Sequence, residues 1–376
     1  MRRKIYQELL QWKQRSGESA LLVQGARRVG KSYIVEAFAK AEYKSYILID
    51  FNLVDQPVKE MFEHDLVDLK TFFMKLTTYY GVKLYERESL IIFDEVQLFP
   101  RARSAIKYLV ADGRYDYIET GSLISIRENV KDILIPSEED HVDMYPLDFE
   151  EFLWANGNDT MMDFIRDCYR KKAPLGQALH RKAMDLFRQY LIVGGMPQAV
   201  NAFVKHNDFD EVDRVKRRIL NLYRDDIRKH AKGYEMKVEA IYDEIPSQMK
   251  NQNQHFKLSS LKQGARFDEY KDAMFWLSDA MIVNHCYNAT EPTFGLNLNR
   301  DRTLLKCYMG DTGLLISHAF DENGIVTGEV YKKLLLDKLE VNMGMVMENM
   351  VAQMLTASGH KLYFYSNSSR SDASSR

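Results

Sequence analysis

Glycines at positions 25 and 30, followed directly by Lys31 and Ser32, give the spacing G-x-x-x-x-G-K-S in the stretch GARRVGKS. These residue types at this spacing suit the wrapping of a polyphosphate. Only a backbone that comes close and turns several N–H groups inward can do it, so glycines stand where a Cβ would collide or a positive φ is needed. Lys31 then reaches the β- and γ-phosphates, Ser32 opens a helix and offers its hydroxyl to Mg2+, and the helix N-terminus attracts the phosphate charge. The expected nucleotide-binding residues are Gly25, Ala26, Arg27, Arg28, Val29, Gly30, Lys31, Ser32 and Tyr33. Further on, the run SLIIF is closed by Asp94 and Glu95. An apolar strand ending in two acids sets Asp94 to hold Mg2+ through water and Glu95 to orient or deprotonate the attacking water. Lys31 and Glu95 are the expected catalytic residues, Ser32 and Asp94 the expected metal holders. Alone, the glycine turn could be a chance loop and the two acids a solvated strand end; their pairing favours the chemical reading. A later strand tip, ETGSL, carries Thr120 and Ser122, small polar residues able to sense the γ-phosphate or fix the lytic water. An ordinary turn explains them equally well, with Ser122 marginally preferred as sensor.

Such a site needs a strand before it and a helix after it. Ala20 to Val23 is a short apolar run fit for a buried parallel strand, and Tyr33 to Ala41 spaces Ile34, Val35, Ala37, Phe38 and Ala41 as one helix face. Further strands are predicted at Ser45 to Phe51, Ser89 to Phe93, Tyr115 to Ile118 and His141 to Tyr145, with helices at Asp65 to Tyr80 and Arg101 to Val110. Alternating strands and helices imply a parallel α/β sheet covered on both faces. Ser45 to Phe51 lies between the two motif-bearing strands, which, with the Glu after the Asp, suits the ATPase branch of the P-loop fold with an extra strand inserted between the Walker strands. No N-K-x-D base-reading motif occurs, so ATP is expected rather than GTP.

The chain of 376 residues is too long for one core, and two or three domains are expected. A net charge of -2 gives no global case for nucleic acid or membrane. The start, MRRKIYQELLQWKQRSG, reads as an amphipathic helix through Ile5, Leu9 and Trp12 rather than a secretory signal. No run approaches the roughly 20 apolar residues of a membrane span. Cys168, Cys286 and Cys307 are far apart and odd in number, which suits reduced thiols in a cytoplasm.

GARRVGKS, LIIFDEVQ, ETGSL and MYPLDFEEFLW together resemble the prokaryotic AAA-like P-loop ATPases that carry a C-terminal domain of unknown function. VGGMPQAV, LYRDDIRKH, KCYMGDTGLL and ENMVAQML follow in that family's order, so the resemblance covers nearly the whole chain. It implies an ATPase domain over 1–155, a helical lid over 156–235, a winged-helix-like domain over 236–300 and a partial, nuclease-like α/β domain over 301–376. It also implies an arginine donated between subunits, for which Arg101, Arg103 and Arg127 are the candidates. In the helix Val212 to His230, Arg214, Lys216, Arg217, Arg218, Arg224, Arg228 and Lys229 interleave with acids, which predicts a solvated, salt-bridged face rather than a nucleic-acid face. The predicted second helix of the winged region carries Asp268, Glu269, Asp272 and Asp279, which repel phosphates and suit a protein contact. Glu348 matches only the first element of a restriction-endonuclease-like site, and the polar end SNSSRSDASSR predicts no buried strand.

The resulting expectation is Mg2+-dependent ATP binding and hydrolysis coupled to a conformational change or partner binding. The alternative is a nucleotide-gated protein- or DNA-binding switch with negligible turnover; an ATP-coupled nuclease is weaker. ATP and Mg2+ are the expected ligands, a protein partner or self-association the expected assembly, with DNA weakly supported and no membrane.

Overall fold

A computed structural model describes residues 1–15, 17–121, 138–251, 255–320 and 343–366. They fall into two compact units, Met1–Leu147 and Asp148–Arg376. Ser122 and Arg127 lie outside the described residues. No helix among the described residues is long and apolar enough to cross a membrane.

In the first unit, helix α1 (Ile5–Gln14) buries Ile5, Leu9 and Trp12, one stripe at helical spacing. Strand β1 (Ala20–Gln24) follows, then helix α2 (Lys31–Glu42), which buries Ile34, Val35, Phe38 and Ala39. Beyond strand β2 (Ser45–Asp50), the chain forms helix α3 (Gln56–Glu60), a π-helical turn at Met61–Asp65 and helix α4 (Leu69–Tyr80). The predicted helix thus starts later than expected, where the Asp68 carboxylate accepts from the N–H groups of Lys70 and Thr71 and caps it. Strand β3 (Ser89–Asp94), helix α5 (Pro100–Asp112) and strands β4 (Asp116–Gly121) and β5 (Glu139–Asp143) complete the unit.

The five strands are all parallel in the order β2-β3-β4-β1-β5. An extra strand does stand between the two motif-bearing strands, but it is β4. The Ser45 to Phe51 stretch, which lies between them in sequence, is at the sheet edge. The burial pattern carries the reason: β3 and β4 are buried at every position, whereas β2 keeps four of six positions partly exposed. An edge strand has a neighbour on one side only and tolerates that polarity. On one face, Phe51, Phe62, Phe72 and Phe93 pack with α4 and α5 residues into the core, with Phe51 and Phe62 rings 5.8 Å apart.

The second unit is mainly helical. Helices Phe149–Ala155, Met161–Lys171, Gln177–Val193, Pro197–His206, Phe209–His230, Glu235–Lys250 and Phe267–Asp279 precede a small sheet. There β6 (Val283–Ala289) lies between β7 (Arg300–Met309), antiparallel, and β8 (Leu362–Phe364), parallel. Residues on either side of position 300 therefore share one sheet. Helices Thr312–Ala319 and Met343–Ala357 lie in the chain between β7 and β8.

The run VGGMP meets GDTGLL and ENMVAQML, both more than a hundred residues further along the chain, here. A Cβ on Gly194 would lie 2.3 Å from the Asp311 carboxylate, and one on Gly313 would lie 2.4 Å from the Val193 carbonyl, so the two turns touch backbone to backbone. Asp311 accepts from the Gly195 and Leu314 N–H groups, and Gln353 accepts from the Thr312 N–H at 2.8 Å. Lys216 joins this core, donating to the Ile192 carbonyl at 2.8 Å. Its expected place on a solvated face is corrected: it is fully buried, on the stripe of Val212, Ile219, Tyr223 and Ile227. Burial pushes its pKa down to about 8 against the opposing pull of Asp213 and Asp311. Arg217 pairs with the interleaved Asp213 as expected, whereas Arg224 and Arg228 pair with Asp243 and Glu239 of the next helix.

Candidate functional site

The turn between β1 and α2 is built on close approach. A Cβ on Gly25 would sit 2.3 Å from the Met144 carbonyl oxygen, so no larger residue fits. Arg28 at φ 72 and Gly30 at φ 98 both hold the left-handed conformation, costly for the arginine. Lys31 is buried, and its Nζ donates to the carbonyls of Gly25 at 2.9 Å and Ala26 at 3.1 Å. Arg27, Arg28 and Tyr33 are exposed around the turn.

The sheet brings the acids to the same place. Ser32, at the start of α2, donates its hydroxyl to Asp94 Oδ1 at 2.8 Å, and the Thr120 hydroxyl donates to the same oxygen. Thr120 is fully buried at the end of β4, the strand next to β3, and its oxygen faces the Glu95 N–H at 3.4 Å. Ser32, Asp94, Glu95 and Thr120 thus form one connected set, with Lys31 adjacent to Ser32. Glu95 takes the left-handed conformation at φ 52 as the chain leaves β3, and the buried Gln97 amide donates to its carboxylate. Gln97 was given no role by its sequence; a Gln two residues past an acid carries no periodic signal.

The residues present fit a nucleotide with its metal. The turn is a cradle that a side chain at Gly25 would fill, and the hydroxyl and carboxylate oxygens of Ser32 and Asp94 are the hard donors that Mg2+ takes. Lys31 directly precedes Ser32 in the chain.

Arg103 does not reach a neighbouring subunit's site. It is 1% exposed and donates to Glu119 at 3.3 Å and Glu139 at 2.9 Å, both buried on the α5 side of the sheet. Burial pushes the Glu119 carboxyl well above its usual range; Glu139 adds to this and the Arg103 charge opposes it. The arginine lies on the inner face of α5 with Ala102, Ala105, Ile106 and Leu109. Arg103→Met removes the guanidinium that the buried Glu119 and Glu139 carboxyl groups share, and is expected to destabilise the unit by about 3 kcal/mol, lowering its melting temperature by roughly 10 °C. Thermal unfolding followed by circular dichroism checks this; an inter-subunit donor would leave the melting temperature where it was. Arg101 stays at the surface, its Nε donating to the Phe62 carbonyl at 3.3 Å.

In the second unit, Glu348 accepts from Lys306 and from the Tyr308 hydroxyl, each at 2.7 Å. Among the described residues, no group of three or more His, Cys, Asp or Glu side chains could hold a metal ion.

Residues 17–153 match the model of the AAA domain family, and residues 184–323 match a domain of unknown function (DUF8612). No curated protein matches the chain. Among solved structures, the Walker-type ATPase of Pyrococcus abyssi is similar at 14% identity with a TM-score of 0.49, covering 84% of this chain and 95% of that one. The Aeropyrum pernix ORC1 protein in complex with DNA shares 9% identity at a TM-score of 0.32, covering 87% and 94% of the two chains. The Thermotoga maritima RuvB Holliday junction branch migration motor shares 12% identity at a TM-score of 0.32, covering 78% and 90%.

Proposed function

We propose, from the match of residues 17–153 to the AAA domain family, that the chain binds ATP with Mg2+, hydrolyses it and couples turnover to a conformational change or to its hold on a partner. The observation that carries this reading is the meeting of Ser32 and Thr120 on one oxygen of Asp94 beside the glycine turn. Ser32 and Asp94 would hold Mg2+, which when bound neutralises charge on the phosphate oxygens. Lys31 turns from the Gly25 and Ala26 carbonyls onto the β- and γ-phosphates. Thr120 fixes the Asp94 carboxylate. Glu95, next in the chain, takes the proton of the attacking water.

A protein partner or a second copy of the chain suits the second unit better than DNA. The helix Phe267–Asp279 exposes Asp268, Glu269 and Asp272, which would repel phosphates. Its use with the β6–β7 pair as a winged, protein-contacting element belongs to the same proposal. So does action in the cytoplasm, which the free thiols of Cys168, Cys286 and Cys307 support.

One observation favours the second reading, a nucleotide-gated switch: the Gln97 amide already occupies the Glu95 carboxylate. Phosphate release from Mg2+-ATP, followed over many turnovers with and without double-stranded DNA, separates the two. Sustained release is expected of the ATPase. A burst that stops after one phosphate per chain would assign the switch, and DNA stimulation would overturn the choice of a protein partner.

A further inference from the structure

Resting on the nucleotide-binding reading above, we infer that Arg3 is a positioning residue for the phosphate-binding turn, clamping it from outside through its backbone. Its guanidinium donates from Nη1 to the Val29 carbonyl at 3.0 Å and from Nη2 to the Tyr145 carbonyl at 2.6 Å. Arg3 is 8% exposed. Buried arginine forks are rigid and always charged, so both bonds are charge-assisted and directional.

The two carbonyls are not arbitrary points on the surface. Val29 lies between Arg28 and Gly30, the two left-handed residues of the turn. In a planar trans peptide, the C=O of Val29 and the N–H of Gly30 point in opposite directions. A carbonyl held outward on Arg3 therefore keeps the Gly30 N–H aimed away from Arg3, toward the inside of the turn. Left-handed backbone at a non-glycine residue persists only where its surroundings over-determine it, and Arg3 supplies that constraint one residue from Arg28.

Tyr145 braces the other end. Its neighbour Met144 donates its N–H to the Gln24 carbonyl at 2.7 Å and presents its own carbonyl against Gly25. One guanidinium thus ties the last residues of the turn to the segment that touches its first glycine.

Arg3 is itself held in place. It stands two residues ahead of α1, which buries Leu9 and Trp12, bonds Tyr6 to Glu42 at 2.8 Å, and donates from Trp12 to the Ser19 carbonyl at 3.1 Å. The Tyr6 and Phe38 rings meet edge to face at 5.4 Å, so α1 is fixed on α2, the helix that begins at the turn.

The test is calorimetric titration of Mg2+-ATP into the full chain and into Arg3→Ala and Arg3→Lys, with thermal unfolding and steady-state phosphate release in parallel. Losing the clamp is expected to raise the ATP Kd about tenfold or more in Arg3→Ala. KM is expected to rise more than kcat falls, because Glu95 and Asp94 are untouched. Arg3→Lys, with the charge but without the fork, is expected to fall between the two, and millimolar guanidinium is expected to restore affinity to Arg3→Ala but not to Lys31→Ala. A folded Arg3→Ala that binds ATP as wild type does overturns the inference alone. Affinity that falls only in step with melting temperature, with no guanidinium rescue, overturns it in favour of a purely structural arginine. Should Arg3→Ala fail to fold, Arg3→Lys carries the same comparison. Wild-type protein that binds no ATP overturns the proposed function first, and the inference with it.

Discussion

Lys31→Ala is expected to weaken Mg2+-ATP binding by about three orders of magnitude while leaving the fold intact. The ammonium is buried in the turn, and its bonds to the Gly25 and Ala26 carbonyls are to neutral acceptors, at 2.9 and 3.1 Å. Exchanging them for bonds to two phosphate groups makes each charge-assisted at both ends, worth roughly 1.5–3 kcal/mol apiece, and each 1.4 kcal/mol is tenfold in affinity. Stability should change little, because the substitution removes a buried charge together with its two hydrogen bonds. Calorimetry and thermal unfolding on the same preparation check both halves. Retained affinity would remove Lys31 from the site.

Glu95→Gln is expected to bind ATP as wild type does and to turn it over at least a hundredfold more slowly. The carboxylate is the group placed to accept a proton from water, and general base catalysis contributes about 10^2 to 10^4 in rate. The amide is isosteric and can keep its contact with the Gln97 side chain, so ground-state binding has no reason to change. Its backbone remains tied through the Thr120 hydroxyl at 3.4 Å. Binding by calorimetry and phosphate release by a coupled assay separate these effects; equal turnover in the two proteins would assign the base elsewhere.

The glycine turn and the Asp-Glu strand end were legible because their flanks are periodic. Four consecutive buried residues of β1 and the Ile34, Val35, Phe38 stripe of α2 leave the turn between them no other place. The order of the strands was only half legible. An extra strand was expected from the motif class, but sequence adjacency put it at Ser45 to Phe51, whereas the fully buried β4 takes that place. Lys216, expected on a solvated face, and Arg103, a candidate inter-subunit donor, are both buried for a reason that residue type does not carry. A charge in a helix reads as solvated unless its partner is known, and their partners, Ile192, Glu119 and Glu139, lie 16 to 36 residues away. Arg3 was illegible for the same reason, since its acceptors are backbone carbonyls at 29 and 145, and carbonyls leave no trace in residue type. The contact of VGGMP with GDTGLL likewise depends on two glycines whose need for close approach appears only when the turns meet.

The account depends most on the glycine turn, Lys31, Ser32 and Asp94 forming a working site for a nucleotide with its metal. Calorimetric titration of ATP into the 376-residue chain, with Mg2+ and then with the metal chelated, tests that directly. Saturable binding at one site per chain, weakened by chelation, is the predicted result; the absence of any binding heat in the presence of Mg2+, over a range of temperatures, would contradict it.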